Sequence, residues 1–355
     1  MKIIQHTPTI TPHDAVSDNV LHLDKILKEK GYKTEIFADN IDEYYKGLVK
    51  NSSKFSSDNE DLVLLHFSIG SDFYRNIKKF RGKKIIFYHN ITPPKFFIEY
   101  SAPAFEYSSM GLRQLKEIQE YIDGAIADSL FNADELVMNG YKNPDVLPLY
   151  YDLDKRVKAN EQAKEDESEL TQILFVGRIA PNKKQEDIVK AFYFYHKYFN
   201  PKSKLYLVGG YSGMEFYKNK IEVIINKLKL DKFVELTGKI SDEELAHRYK
   251  NADLYLSMSE HEGFCAPVLE CMSIQLPILA YYNSGALPET AGKGAVYFTK
   301  KKYFEIAGIM DYILTDSNLK EKIKANQEKE LERFSNKKVE EKFWNIIKTH
   351  TKNDK

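Results

Sequence analysis

The chain has 355 residues, 43% of them hydrophobic and 29% charged, with 52 basic side chains matched by 52 acidic ones. That apolar content is enough for two cores of ordinary domain size, and a net charge of zero leaves no global field to draw in nucleic acid. Cys265 and Cys271, with no Cys-x-x-Cys spacing and no histidine at ligand spacing, argue against a disulfide framework and a zinc site and point to a reducing compartment.

The N-terminus reads MKIIQHTPTITPHDAV, and Pro8, Pro12, His13 and Asp14 interrupt its apolar run, so it does not resemble a signal peptide. No stretch approaches the roughly 18 apolar residues of a spanning helix. The expected location is the cytosol, with the inner face of the cell membrane as a peripheral site.

Short apolar runs then alternate with longer amphipathic stretches. The first half predicts strands at Lys2–Ile4, Thr34–Phe37, Leu62–His66, Lys84–Tyr88, Gly124–Ala127 and Val146–Leu147. Helical spacing joins Val20, Leu23 and Leu27, a run that stops at Gly31, and also Leu112, Leu115, Ile118 and Ile122; a further helix runs from Asn132 to Gly140. Residues 155–170 are dominated by Lys, Glu and Asp and read as a solvated linker. Beyond them the pattern starts afresh, with strands at Ile173–Val176, Lys204–Val208, Phe233–Leu236, Leu254–Ser257, Pro277–Ala280 and Ala295–Phe298, and helices such as Asp187–Tyr198 and Met214–Leu228. Continuous apolar strands alternating with helices indicate parallel sheets covered on both faces. The expectation is two Rossmann-like, doubly wound α/β domains, 1–160 and 161–335, with ligands beyond the carboxyl ends of the strands in a cleft between them.

Three stretches carry chemistry. Residues 257–270, SMSEHEGFCAPVLE, run from a strand through a polar loop into a helix whose first turn holds Pro267. Free N–H groups at such a helix start favour an anion, Gly263 permits close approach to a ligand, and, since a carboxylate accepts two hydroxyl hydrogen bonds, one of Glu262 and Glu270 can hold a sugar and the other a ribose diol. Taken alone, Glu270 also suits a helix N-terminus for its charge. Residues 174–184, LFVGRIAPNKK, lie between a strand and a helix; Gly177 allows a tight turn, and Arg178 and Lys183 can together meet a pyrophosphate. In residues 86–94, IFYHNITPP, His89 closes a strand; a lone histidine there is more often structural than catalytic.

Together these stretches resemble retaining GT-B glycosyltransferases of family 4 (group 1). EGFCAPVLE resembles the family's E-x7-E motif, GRIAPNK its GR-x4-K signature, and HNITP a subset of bacterial members that make surface polysaccharides. Lys184 stands where the family usually has Gly, and HDAVS at 13–17 lacks the family's double glycine. The resemblance implies a hexosyltransferase that retains anomeric configuration, needs no metal or cofactor, and takes GDP-mannose or a UDP-sugar. Arg178 and Lys183 would stabilise the departing diphosphate, Glu262 would hold the sugar, and His89 would touch it. Donor contacts would come from Gly177, Ile240, Gly263, Phe264, Cys265, Ala266 and Glu270, with Asp14 and Ala15 at the first strand-to-helix loop. DSLFNADE at 128–135 resembles a further family segment and equally reads as a helix cap. The C-terminal helix, from about 336 to 355, would return to the first domain. That domain would take a glycan or lipid-linked acceptor.

A basic run without an acidic residue, Arg75, Lys78, Lys79, Arg81, Lys83, Lys84 and Lys95, reads as a solvated face or, through its first six, as a surface for anionic lipid, with Phe96, Phe97, Tyr100 and Phe105 entering the interface. Two other functions share the pattern: a non-catalytic nucleotide-sugar-binding or glycan-binding partner of another transferase, and a sugar-nucleotide epimerase.

Overall fold

A computed structural model describes residues 1–166 and 169–351. Part of the expected linker, 167–168, and the end of the expected last helix, 352–355, lie outside the described residues. The chain divides into two compact units: 1–95, 103–151 and 334–355 form the first, and 96–102 with 152–333 form the second.

The first unit is built on β1 (Lys2–Ile10), α1 (Ala15–Glu29), β2 (Lys33–Ile41), β3 (Lys50–Asn51), β4 (Leu62–Phe67), β5 (Lys83–Tyr88), α2 (Ala102–Glu117), β6 (Gly124–Ala127), α3 (Leu130–Met138) and β7 (Asp145–Val146). Its seven strands lie in the order β3-β2-β1-β4-β5-β6-β7, all parallel. The strands are apolar on both faces because both faces are covered. Val63, Leu65 and Phe67 of β4 join Ile86 and Tyr88 of β5 in one core. The alternate residues Leu62, Leu64, Ile85 and Phe87 join the other. This second core also holds Leu23 and Leu27 of α1 and Val339, Phe343, Ile346 and Ile347 of the last helix. Each such side chain contributes about 1.5–3 kcal/mol on burial.

The second unit runs through α4 (Leu153–Gln162), β8 (Thr171–Val176), α5 (Gln185–Tyr198), β9 (Ser203–Val208), α6 (Glu215–Lys227), β10 (Val234–Gly238), α7 (Asp242–Lys250), β11 (Leu254–Ser257), α8 (Ala266–Ser273), β12 (Ile278–Tyr281), α9 (Leu287–Ala291), β13 (Val296–Phe298), α10 (Tyr303–Thr315) and α11 (Ser317–Leu331). Its six strands lie in the order β10-β9-β8-β11-β12-β13, again all parallel. The last helix, α12 (Asn336–Thr351), belongs to the first unit.

Both sheets are Rossmann-like, and every strand read from an apolar run is present. The segment 153–162 is a correction: it is helix α4 and not a solvated linker. Asp152 caps it by accepting the Lys155 N–H at 3.0 Å, and Arg156 turns inward to a buried carboxylate. A run of charges is therefore not always a solvated face, because one inward cation can anchor a helix.

Three of the four aromatics expected at a lipid interface make contacts within the protein. Phe97 is buried. Tyr100 packs edge-on to Tyr217 and accepts a hydrogen bond from Lys220 at 3.0 Å, while Phe96 lies near His261. Among the described residues no helix is long and apolar enough to cross a membrane.

Candidate active site

In the second unit the strand ends nearest the candidate motifs are lined with glycine. β8 ends at Gly177, whose N–H donates to the Val208 carbonyl at 2.9 Å, and the Gly209 N–H donates to the Gly238 carbonyl at 3.0 Å. A side chain on Gly209 would put its Cβ 2.1 Å from the Gly177 oxygen, so the two chains meet closer than any other residue permits. Gly209 was not singled out from sequence, although Val-Gly-Gly at the end of β9 echoes Val-Gly-Arg at the end of β8.

The loop after β8 makes one turn at Pro181–Lys183 and then places Lys184 in the left-handed region, φ 54°, before α5 begins. A side chain there costs roughly 1–2 kcal/mol, which is the physical reason glycine suits this position. The Lys184 ammonium instead lies 3.4 Å from Glu260. Asn182 fastens the loop to the one after β11. Its carbonyl accepts the Glu260 N–H at 2.8 Å, and its amide donates to the His261 carbonyl at 3.0 Å. This brings the Lys183 ammonium onto the Glu262 carboxylate as an ion pair. Glu262 is 6% exposed, and its carbonyl accepts the Ala286 N–H. Arg178 stands exposed on the same loop as Lys183, with its carbonyl held by the Gln185 amide at 3.0 Å.

Cys265 takes a left-handed backbone, φ 72°, at the head of α8. Phe264 and Cys265 are buried, while Gly263 and Ala266 are half-buried. Burial pushes the Cys265 thiol well up; the charges of Glu262 and Glu270 raise it further, and that of Lys183 opposes them. One buried atom therefore feels three of the sequence-derived groups. Glu270, 3% exposed, receives Arg156 of α4 at 2.6 Å on one oxygen and the Tyr249 hydroxyl of α7 on the other. Sequence reasoning missed both partners. The only available signal was the rule that a buried carboxylate needs a counter-charge, and nothing in the sequence says which cation supplies it. Ile240 is half-buried in the loop after β10.

The first unit holds the other candidates. Asp14 caps α1, accepting the Ser17 N–H at 2.9 Å and its hydroxyl at 2.7 Å, and Ala15 opens the helix. Ser129 caps α3. His89 follows β5; its side chain is 0% exposed although the residue as a whole is 8% exposed, so the exposed part is backbone. Its Nε2 lies 2.9 Å from His66 Nδ1 and its Nδ1 lies 3.4 Å from Asp128. Of the basic run, Arg75, Lys78, Lys79, Arg81 and Lys83 are exposed. Lys84 is drawn inward, donating to the Phe80 and Gly82 carbonyls at 3.2 and 2.9 Å.

Residues 157–330 match the family described as glycosyl transferases group 1. That stretch of the chain is similar to a group 1 glycosyltransferase domain. The matched stretch contains the Lys183–Glu262 pair and Glu270, and the chain as a whole has the GT-B fold. It is 28% identical over 131 residues to alpha-monoglucosyldiacylglycerol synthase of Acholeplasma laidlawii, covering 36% of this chain and 31% of that protein. It is 26% identical over 119 residues to O-antigen chain mannosyltransferase B of Escherichia coli, covering 34% of this chain and 30% of that protein. The chain thus matches about a third of the length of these curated relatives. The structure of Anabaena HepE in complex with UDP-glucose superposes with a TM-score of 0.72 over 98% of this chain and 100% of that one, at 16% identity, which is a likeness of fold.

Proposed function

We propose that this protein is a retaining, family 4 hexosyltransferase that moves a sugar from a nucleotide-activated donor, a UDP-sugar or GDP-mannose, to a glycan or lipid-linked acceptor in cell-surface polysaccharide synthesis. The observation that carries this reading is the Lys183–Glu262 pair, fastened by Asn182 beside the glycine-lined ends of β8 and β9. Backbone that can be approached closely suits a diphosphate, a partly exposed ammonium offsets the charge that grows on it as it leaves, and a buried carboxylate orients sugar hydroxyls. Arg178 supplies the second cation, and Glu270 takes the ribose hydroxyls. In the reaction the bond from the sugar's anomeric carbon to the diphosphate breaks, a bond to the acceptor oxygen forms, and the acceptor's proton passes to the departing phosphate. The first unit, which holds His89, takes the acceptor. The names of the relatives, a glucosyldiacylglycerol synthase and an O-antigen mannosyltransferase, support a lipid-linked or glycan acceptor. The UDP-glucose held by HepE supports a UDP-sugar donor. The exposed side chains from Arg75 to Lys83 are the proposed contact with anionic lipid.

Thermal unfolding with UDP, GDP and ADP tests the donor. A nucleotide at 100 times its Kd adds about 2.7 kcal/mol of stability. Stabilisation by one base, followed by transfer from its sugar conjugate, supports the reading; no stabilisation by any nucleotide overturns it.

A further inference from the structure

The buried histidines of the first unit carry a proton count that follows from geometry. The chain of contacts starts at the Val20 carbonyl, which can only accept. The Gln5 amide group therefore turns its nitrogen to Val20, 3.1 Å away, and its oxygen to His66 Nε2, 2.9 Å away. That oxygen can only accept, so His66 carries its proton on Nε2. His66 is wholly enclosed, and burial holds its ring well below the usual histidine range, hence neutral, with Nδ1 bare. His89 must then donate its Nε2–H to His66 Nδ1 across 2.9 Å. This leaves His89 Nδ1 facing Asp128 at 3.4 Å. A bare nitrogen against a bare carboxylate is repulsive, and both side chains are enclosed. Burial also pushes the Asp128 carboxyl up, towards its protonated form.

We infer that the Asp128–His89 pair holds one proton between Oδ2 and Nδ1, and that Gln5, His66 and Asp128 are positioning residues that keep the His89 ring turned inward. The opposite direction of the chain would set the Gln5 oxygen against the Val20 carbonyl, with neither able to donate. The groups around the pair are otherwise neutral or already engaged. Phe87 packs on the His89 ring, the Asn132 amide donates to the other Asp128 oxygen, and the Tyr74 hydroxyl donates to the His66 carbonyl. On the far side of His66, His6 is tied to Asp39. His89 thus has no ring N–H left for a ligand while the chain is intact. A ligand that uses this ring must displace either His66 or Asp128 from it.

The functional part of this inference rests on the proposed role of His89; the proton count does not. Nitrogen-15 NMR of the full chain, labelled at histidine and recorded at neutral pH, reads the tautomers directly. The expected result is His66 protonated on Nε2 alone, with His89 protonated on Nε2 and its Nδ1 signal moved far from the bare-nitrogen position. His66 protonated on Nδ1, or a bare His89 Nδ1, overturns the inference. Gln5→Leu removes the anchor and is expected to reverse the chain: His66 moves its proton to Nδ1, and His89 donates Nδ1–H to an ionised Asp128. An unchanged His66 tautomer in that variant removes Gln5 from the set. Should the tautomers be as stated and the pH profile of transfer be the same in Gln5→Leu and the parent chain, the proposed role of His89 fails while the proton count stands.

Discussion

The two units hold carboxylates wholly or partly out of water with different partners. In the second unit Glu262 and Glu270 meet the fixed cations Lys183 and Arg156. In the first unit Asp39 and Asp128 meet His6 and His89. Fixed cations hold their charge across the physiological range, so those pairs break only when a residue is removed. Burial holds the His6 ring below the usual histidine range, so its pair with Asp39 lacks the permanent charge of a lysine or arginine pair.

The largest expected effect is at the fixed pairs. Lys183→Ala strands the buried Glu262 carboxylate; it is expected to cost about 3–5 kcal/mol in urea unfolding and to lower transfer by about two to three orders of magnitude. Glu262→Ala is expected to lower transfer as much with a far smaller loss of stability, because the Lys183 side chain is 22% exposed and regains water. Equal stability losses in the two variants would show that Lys183 is not what holds Glu262. Arg156→Ala is expected to cost about 3–5 kcal/mol for the same reason, and adding Glu270→Gln is expected to recover part of it, as a double-mutant cycle would read.

A smaller and different effect is expected in the first unit. His66 binds its proton less readily folded than unfolded. Below the unfolded value of about 6.5 the unfolded chain therefore takes up the proton first, and stability falls as pH falls through that range. His66→Phe is expected to flatten the acid side of the stability profile between pH 5 and 7 relative to the parent chain; an unchanged slope would place the pH response elsewhere. The smallest effect is at Lys184, where the backbone is left-handed. Lys184→Gly is expected to change stability by no more than about 1 kcal/mol, and towards stabilisation if relief of the left-handed side chain outweighs the added freedom of glycine in the unfolded chain.

Periodicity and turn chemistry reached far into this molecule. The apolar runs located the strands because strands covered on both faces must be apolar throughout, and the strand-to-helix loops identified Lys183 and Glu262 as separate candidates. Contacts made across the chain were not legible. Nothing in the charged stretch near 156 marked one arginine as the partner of Glu270, 114 positions away, and nothing in Asn182 marked it as the clasp between two loops.

From its own order of residues the chain determined two parallel sheets, the loops that carry glycine, and which side chains stand at strand ends, since these depend on local sterics and on the alternation of polar and apolar positions. Only the tertiary structure decided which cation meets which carboxylate, that the His89 ring is turned inward, and that residues 153–162 form a helix. Those outcomes depend on desolvation, and whether a charge is kept from water is a property of everything packed around it.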